Sequence, residues 1–229
     1  MGELNRIHFE YADRKRRLAG SDIYSPFNQS YLYMIQGRQR AVLDSLKRAG
    51  FLALPNLKML EIGCGGGRVL AEYLSLGVPS SHMYGVDLLP DRLADAHNWL
   101  PGSGFANADG QYLPFPAQSF DLVIQYTAIS SILDPDIRRN VCADMLRVVK
   151  PGGLILSYDF WLNPANPQTR GLRPSEIRRL FPGCRFTFDR ITLAPPIARR
   201  LVRVSWLFCA FLEKVRIFNT HYLVSIRPV

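Results

Sequence analysis

At 229 residues, with 48% hydrophobic and 21% charged residues, the chain has the make-up of one soluble globular domain with a substantial core. Its four cysteines (Cys64, Cys142, Cys184, Cys209) lack C-x-x-C spacing, which argues against a disulfide framework and offers no metal set. The net charge of +9 is uneven: residues 1–50 carry +4, residues 51–149 carry −4, and residues 150–229 carry +9.

The first twenty residues are charged and contain no apolar stretch, which argues against a secretory leader and for a cytoplasmic setting. An N-terminal extension runs to about residue 50. It holds the basic run Arg14-Lys15-Arg16-Arg17, the aromatics Tyr24, Phe27, Tyr31 and Tyr33, and a helical pattern over 31–48. Strands and helices then alternate. The expected strands are 58–62, 82–87, 104–107, 120–126 and 154–159, with helices over 68–76, 91–100 and 135–149 between them. The apolar run 120–126 suits a strand covered on both faces. This β-α order implies a doubly wound, mostly parallel sheet with its ligand crevice beyond the strands' carboxyl ends.

Beyond residue 160 the pattern loosens. A loop over 163–173 precedes a short helix over 174–181, and strands are expected over 184–193 and 220–227. Between them, about 196–218, lies an inserted helix. Its apolar core, Val204 to Leu212, is too short to span a bilayer. With Arg199, Arg200 and Arg203 beside Leu201, Leu207, Phe208 and Phe211 it is amphipathic, a pattern suited to a membrane surface. Packing of that face against the sheet or a second subunit is the preferred expectation.

The most informative run is Leu60 to Leu70, Leu-Glu-Ile-Gly-Cys-Gly-Gly-Gly-Arg-Val-Leu, a strand entering a glycine turn that opens a helix. Gly63, Gly65 and Gly67 let bare backbone approach a ligand, and the helix N-terminus can donate N–H groups to a carboxylate. A dinucleotide fingerprint needs a small residue where Arg68 stands. The G-x-G-x-G spacing, with Glu61 two residues before the first glycine, resembles the class I S-adenosylmethionine (SAM)-dependent methyltransferases instead. Tyr84-Gly85-Val86-Asp87-Leu88, Asn107-Ala108-Asp109-Gly110 with Leu113-Pro114-Phe115, and Leu146 to Gly153 agree with it.

The resemblance covers about residues 57–160 and implies a Rossmann-like seven-stranded sheet, with residues 1–50 as a helical lid and 51–229 as the SAM-binding domain. It implies that Asp87 accepts from the ribose hydroxyls and Leu88 covers the adenine. Asp109 and Gly110 would meet the adenine edge. Gln125 and Tyr126 would stand near the methionine portion or the acceptor. Glu61 would organise the loop or meet the ammonium through water, and Cys64 is expected for its size.

No base is evident. Asp159 has the best placement, His8 could enter from the lid, and Tyr24, Asn28, Tyr31 and Trp161 are candidate acceptor contacts. The stretch after residue 158 is similar to methyltransferases of polysaccharide or secondary-metabolite assembly. That likeness points to O-methylation of a sugar-containing or phosphorylated small molecule. The alternative is a lipid, quinone or aromatic-ring acceptor at the membrane surface, and a SAM-binding protein without catalysis is a third class. Gln125-Tyr126-Thr127-Ala128 stands where amino-directed nucleic-acid enzymes carry Asn/Asp-Pro-Pro-aromatic, and there is no Pro-Cys pair for cytosine-carbon chemistry. Nucleic acid is therefore not an expected acceptor. The oligomeric state is open.

Overall fold

The computed structural model describes residues 2–164 and 166–229. Seven strands form one sheet: β1 (Met59–Ile62), β2 (Met83–Asp87), β3 (Gly104–Asn107), β4 (Phe120–Tyr126), β5 (Val149–Phe160), β6 (Cys184–Leu193) and β7 (Asn219–Pro228). Their order is β3-β2-β1-β4-β5-β7-β6. The first five run parallel, and β7 lies antiparallel to both β5 and β6. The Rossmann-like, mostly parallel fold expected from the sequence is therefore present.

Helices cover both faces: α1 (Glu3–Arg17), α2 (Gln29–Arg48), α3 (Arg68–Ser75), α4 (Pro90–Trp99), α5 (Pro135–Val148), α6 (Pro174–Leu180), α7 (Pro195–Leu201) and α8 (Trp206–Val215). Local chemistry sets their ends. The side chains of Asn28, Asp134 and Ser205 accept from first-turn amides of α2, α5 and α8. Alternation along the strands divides the core. Leu60, Ile62, Val123 and Ile155 join the α5–α6 layer, whereas Met59, Leu122, Ile124 and Leu156 pack with residues of α2 and α3.

Three elements differ from expectation. Strand β5 begins five residues early, because the Lys150 to Gly153 turn continues pairing through a register shift near Phe120 and Leu122. Helix α1 was not anticipated. Its apolar positions Leu4, Ile7 and Tyr11 are sparse among charges, and it is held by tertiary contacts rather than by its own stripe. The expected single insertion helix is two, α7 and α8, broken where Ser205 caps the second. Of the face expected to pack on the sheet or on a second subunit, Leu201 packs within this chain, whereas Arg199, Arg200, Arg203, Leu207, Phe208 and Phe211 face solvent. The insertion meets α2 through Ala198, Val202 and Cys209, clustered with Tyr33.

Candidate functional site

The loop leaving β1 turns through three glycines of positive φ, Gly63 (70°), Gly65 (53°) and Gly67 (74°). A Cβ on Gly67 would stand 3.1–3.2 Å from the Cβ and Cα of Ala96, so the close approach of α3 to α4 also requires glycine there. Asp87, at the end of β2, pins this loop. One carboxylate oxygen accepts from the Gly65 N–H (2.7 Å) and the other from the Leu89 N–H (2.9 Å). Arg92 of α4 approaches it at 3.7 Å, and its guanidinium crosses Gly65 and rests 4.8 Å from the Tyr11 ring of α1.

Glu61 faces the α2 side of the sheet, fully buried, with one carboxylate oxygen unpartnered. Burial holds its carboxyl well above the usual range, with Glu72 adding to the shift. Asp109 accepts from the backbone N–H (2.9 Å) and the side-chain amide (3.0 Å) of Gln111, shaping the turn after β3. Gly110 lies against Ile62 and Val141, and half-buried Leu88 joins the same cluster. Cys64 is buried beside Gly85, and burial pushes its thiol up, which leaves it inert. Exposed Arg68 donates to the Tyr24 carbonyl (3.3 Å).

The alternation of β4 and β5 splits the other expected residues between two faces. On the α5 side, the Gln125 side chain donates to Ser157 Oγ (2.6 Å) and Asp159 (3.1 Å), and accepts from the N–H groups of Ala128 and Ile129. Asp159 also accepts from the Ser130 and Phe160 N–H groups. Burial raises its carboxyl to about 6, opposed by these bonds. Both side chains are fully engaged in shaping the turn after β4.

On the α2 side, the Tyr126 hydroxyl meets that of Tyr73 (3.0 Å), and the Tyr158 hydroxyl meets Thr192 Oγ1 (2.9 Å). The Arg38 guanidinium lies 5.0 Å from the Tyr126 ring and 5.5 Å from the Tyr158 ring, and pairs with Glu72. Its Nε has no partner. His221 of β7 stacks on Tyr158 at 4.6 Å and touches Phe160 at 4.0 Å. Burial, with Arg38 nearby, lowers its imidazole to about 3, so the ring is neutral.

The remaining expected contacts lie elsewhere. His8 is exposed on α1. Asn28 caps α2, accepting from the N–H groups of Ser30 and Tyr31. Tyr24 packs edge-on to Tyr31 at 5.6 Å and bonds Arg14. Trp161 donates to the Asn219 carbonyl (2.7 Å) under the Arg190 guanidinium, toward β6. Arg38, brought together here with Tyr158 and His221, was not among the expected site residues. For Arg38 a signal existed: it stands four residues before Val42 and eight before Leu46 on the buried stripe of α2, an odd place for a lone cation.

Helix α1 crosses the carboxyl rim. Glu3 accepts from the Leu133 N–H (2.5 Å), Arg6 donates to the Ser131 carbonyl (2.6 Å) and to Gln168 (2.7 Å), and Ile7 enters the core. Between α1 and residues 166–169 the space is only about 20 Å³, room for roughly one water.

This geometry fits a SAM donor. The glycine loop exposes backbone, Asp87 keeps lone pairs beyond its two N–H bonds, and the unpartnered Glu61 oxygen suits an ammonium. A family model described as a methyltransferase domain matches residues 59–153. The chain is similar to the ubiquinone/menaquinone biosynthesis C-methyltransferase UbiE of Saccharophagus degradans, 32% identical over 70% of this chain and 68% of that protein. It is also similar to a phthiotriol/phenolphthiotriol dimycocerosates methyltransferase of Mycobacterium leprae, 36% identical over 49% of this chain; the match spans only 40% of that protein. In fold it resembles magnesium protoporphyrin IX methyltransferase of Synechocystis with bound SAM (TM-score 0.61, 16% identity, 99% of this chain and 98% of that one). A second SAM-bound structure, the amino pentose methyltransferase CalS10 of Micromonospora echinaspora, gives TM-score 0.59 at 16% identity over 85% of this chain and 91% of that one. With its glycine loop, its sheet order and a relative matched over two thirds of both lengths, the chain belongs to the class I SAM-dependent methyltransferases.

Proposed function

We propose that the chain transfers the SAM methyl group to a small, largely apolar ring acceptor of the quinone, phenol or lipid class. The observation behind this reading is the wall of rings on the α2 side of the rim, Tyr126, Tyr158, Phe160 and His221, beneath the single cation Arg38. The quinone-biosynthesis relative supports the same class.

In this reading the Gly63–Gly67 backbone receives the methionine half and Glu61 its ammonium. Asp87 takes the ribose hydroxyls, and Leu88, Asp109 and Gly110 surround the adenine. When bound, SAM supplies a methyl made electrophilic by positive sulfur, so the protein's task is chiefly to orient the acceptor. Such orientation is worth about 7–11 kcal/mol in favourable cases. The Arg38 guanidinium would stabilise negative charge developing on an acceptor oxygen. His221, lowered to about 3, is too weak a base to take a proton at neutral pH and serves as a ring of the wall.

Residues 1–50 act as the covering extension. The Tyr11–Arg92–Asp87 stack lies across the glycine loop, so α1 must lift before a ribose reaches Asp87.

A second reading is O-methylation of a sugar-containing or phosphorylated acceptor. The free Arg38 Nε favours it, as a donor for a hydroxyl or phosphate oxygen. Methyl-labelled SAM distinguishes the two when the protein is offered demethylated quinols and simple phenols alongside nucleotide sugars and glycosides. Label in the quinols or phenols alone supports the first reading, and label in the sugars alone moves the assignment to the second. Calorimetric SAM binding with label in neither class overturns both and leaves a binding protein.

A further inference from the structure

Helices α7 and α8 end in a surface that the fold leaves uncovered. Val204, Leu207, Phe211 and Ile217 are 81%, 82%, 60% and 66% exposed, and Phe208, Val215 and Phe218 are exposed beside them. Soluble monomers rarely carry such a contiguous apolar patch without a use for it. Helix α8 meets the fold through Cys209, Leu212 and Glu213. Within α8, positions 208, 211 and 215 recur at helical spacing and form a separate stripe, and Val204 lies in the turn that precedes the helix.

The surrounding charge selects the partner. Arg199, Arg200, Arg203, Lys214 and Arg216 are all exposed. The one acid between residues 195 and 218, Glu213, is turned inward: it accepts from the Tyr33 hydroxyl (2.7 Å) and from the Thr192 N–H (2.9 Å). A second copy docked by the same patch would bring five cations against five. An anionic bilayer satisfies both features, taking the apolar side chains at the acyl boundary and the cations among the headgroups. At ten residues α8 cannot cross, and no described helix is long and apolar enough to do so.

We propose that the α7–α8 surface docks this chain on an anionic lipid bilayer, with α8 lying in the plane of the interface. The proposal stands apart from the acceptor assignment, since it needs no turnover. It also places the rim close to the lipid. Trp206 packs edge-on to Tyr33 at 5.4 Å, and Arg38 lies five residues further along α2, about 7.5 Å of helix.

Flotation of the full chain with phosphatidylcholine vesicles, with and without phosphatidylglycerol, tests this. Binding is expected only to the phosphatidylglycerol vesicles and should weaken as salt rises. Replacing Arg199, Arg200 and Arg203 together by Gln should lower partitioning about 100-fold, at roughly fivefold per arginine. The pair Leu207→Glu/Phe211→Glu should abolish binding while leaving SAM affinity and melting temperature unchanged, because both side chains face solvent. Failure of the wild-type chain to bind phosphatidylglycerol vesicles overturns the proposal, as does undiminished binding by the Leu207/Phe211 variant. A wild-type dimer that this variant splits, without lipid binding by either, assigns the patch to a subunit interface instead.

Discussion

Along the carboxyl rim of the sheet, the half formed by β1, β2 and β3 offers a ligand backbone and short acids. The half formed by β4, β5 and β7 offers rings and one buried guanidinium. In the first, three glycines and Asp87 act within a segment of twenty-five residues, Gly63 to Asp87. In the second, Arg38, Glu72, Tyr126, Tyr158 and His221 come from five separate elements. A mostly backbone site tolerates little change of residue type, whereas a side-chain site can be retuned one contact at a time. In the proposed reading, specificity for an acceptor belongs to the second kind of wall.

The largest expected effect falls on that wall. Arg38→Ala leaves Glu72 in a largely buried position without its cation and uncovers two tyrosine rings. Breaking such a pair costs about 3 kcal/mol, at the lower end for buried ion pairs because both side chains keep some exposure. Urea unfolding would measure it, and Arg38→Met/Glu72→Leu should recover most of the loss. If the single variant is as stable as wild type, Arg38 is held by solvent rather than by the fold.

On the backbone half, Asp87→Ala should weaken SAM binding about 100-fold, the worth of roughly two hydrogen bonds to a charged group. It removes the proposed ribose acceptor and also frees the Gly65 N–H. Asp87→Asn separates the two roles, since one amide oxygen can still hold Gly65 but cannot serve both loop and ribose as the carboxylate does. Calorimetry showing normal SAM affinity in folded Asp87→Ala would remove the ribose assignment.

The same contrast explains what could be read from the residues alone. Strands β3, β4 and β6 fall at the expected positions, and the glycine loop is local in sequence, so periodicity and spacing carry them. The surroundings of Asp159 depend on which face of β5 it occupies. A period of two puts Asp159 with Gln125 and Ser157 on one side and Tyr158 with His221 on the other. The place of Arg38 on the buried stripe of α2 is a local mark, but it does not name the rings of Tyr126 and Tyr158, and α1 across the rim leaves no such mark, because those contacts join residues far apart in sequence.

Acid stability offers a finer division between the two faces. The His221 imidazole, ordinarily near 6.5, sits at about 3 in the folded chain. The unfolded chain therefore takes up this proton first. The stability from burying neutral His221 is full above about 6.5 and is lost as pH falls toward 3. Asp159 acts oppositely. Its carboxyl is raised from 3.8 to about 6, so its contribution is full below 3.8 and is lost as pH rises through 6.

Between pH 4 and 6 the two slopes oppose each other, each at most about 1.4 kcal/mol per pH unit. Relative to wild type, His221→Phe should tilt the slope toward decline as pH rises across that window and Asp159→Asn toward a climb, the contribution of buried Glu61 being common to both. Parallel urea titrations would read both signs. Identical slopes in the two variants would remove the assignment of opposite buried states.

The smallest expected effect concerns Asn28, which stands between the two roles considered for it. Its side-chain oxygen accepts from the N–H groups of Ser30 (3.1 Å) and Tyr31 (3.3 Å) and from the Ser30 hydroxyl (2.7 Å), the arrangement of a helix cap. Asn28→Ala should cost about 1 kcal/mol through α2. Asn28→Asp retains an acceptor at the same place and should restore that stability. Activity then separates capping from acceptor contact. If capping is the whole role, Asn28→Asp matches wild type in kcat/KM. If the amide N–H₂ touches the acceptor, Asn28→Asp keeps its melting temperature yet loses kcat/KM, because a carboxylate has no proton to donate.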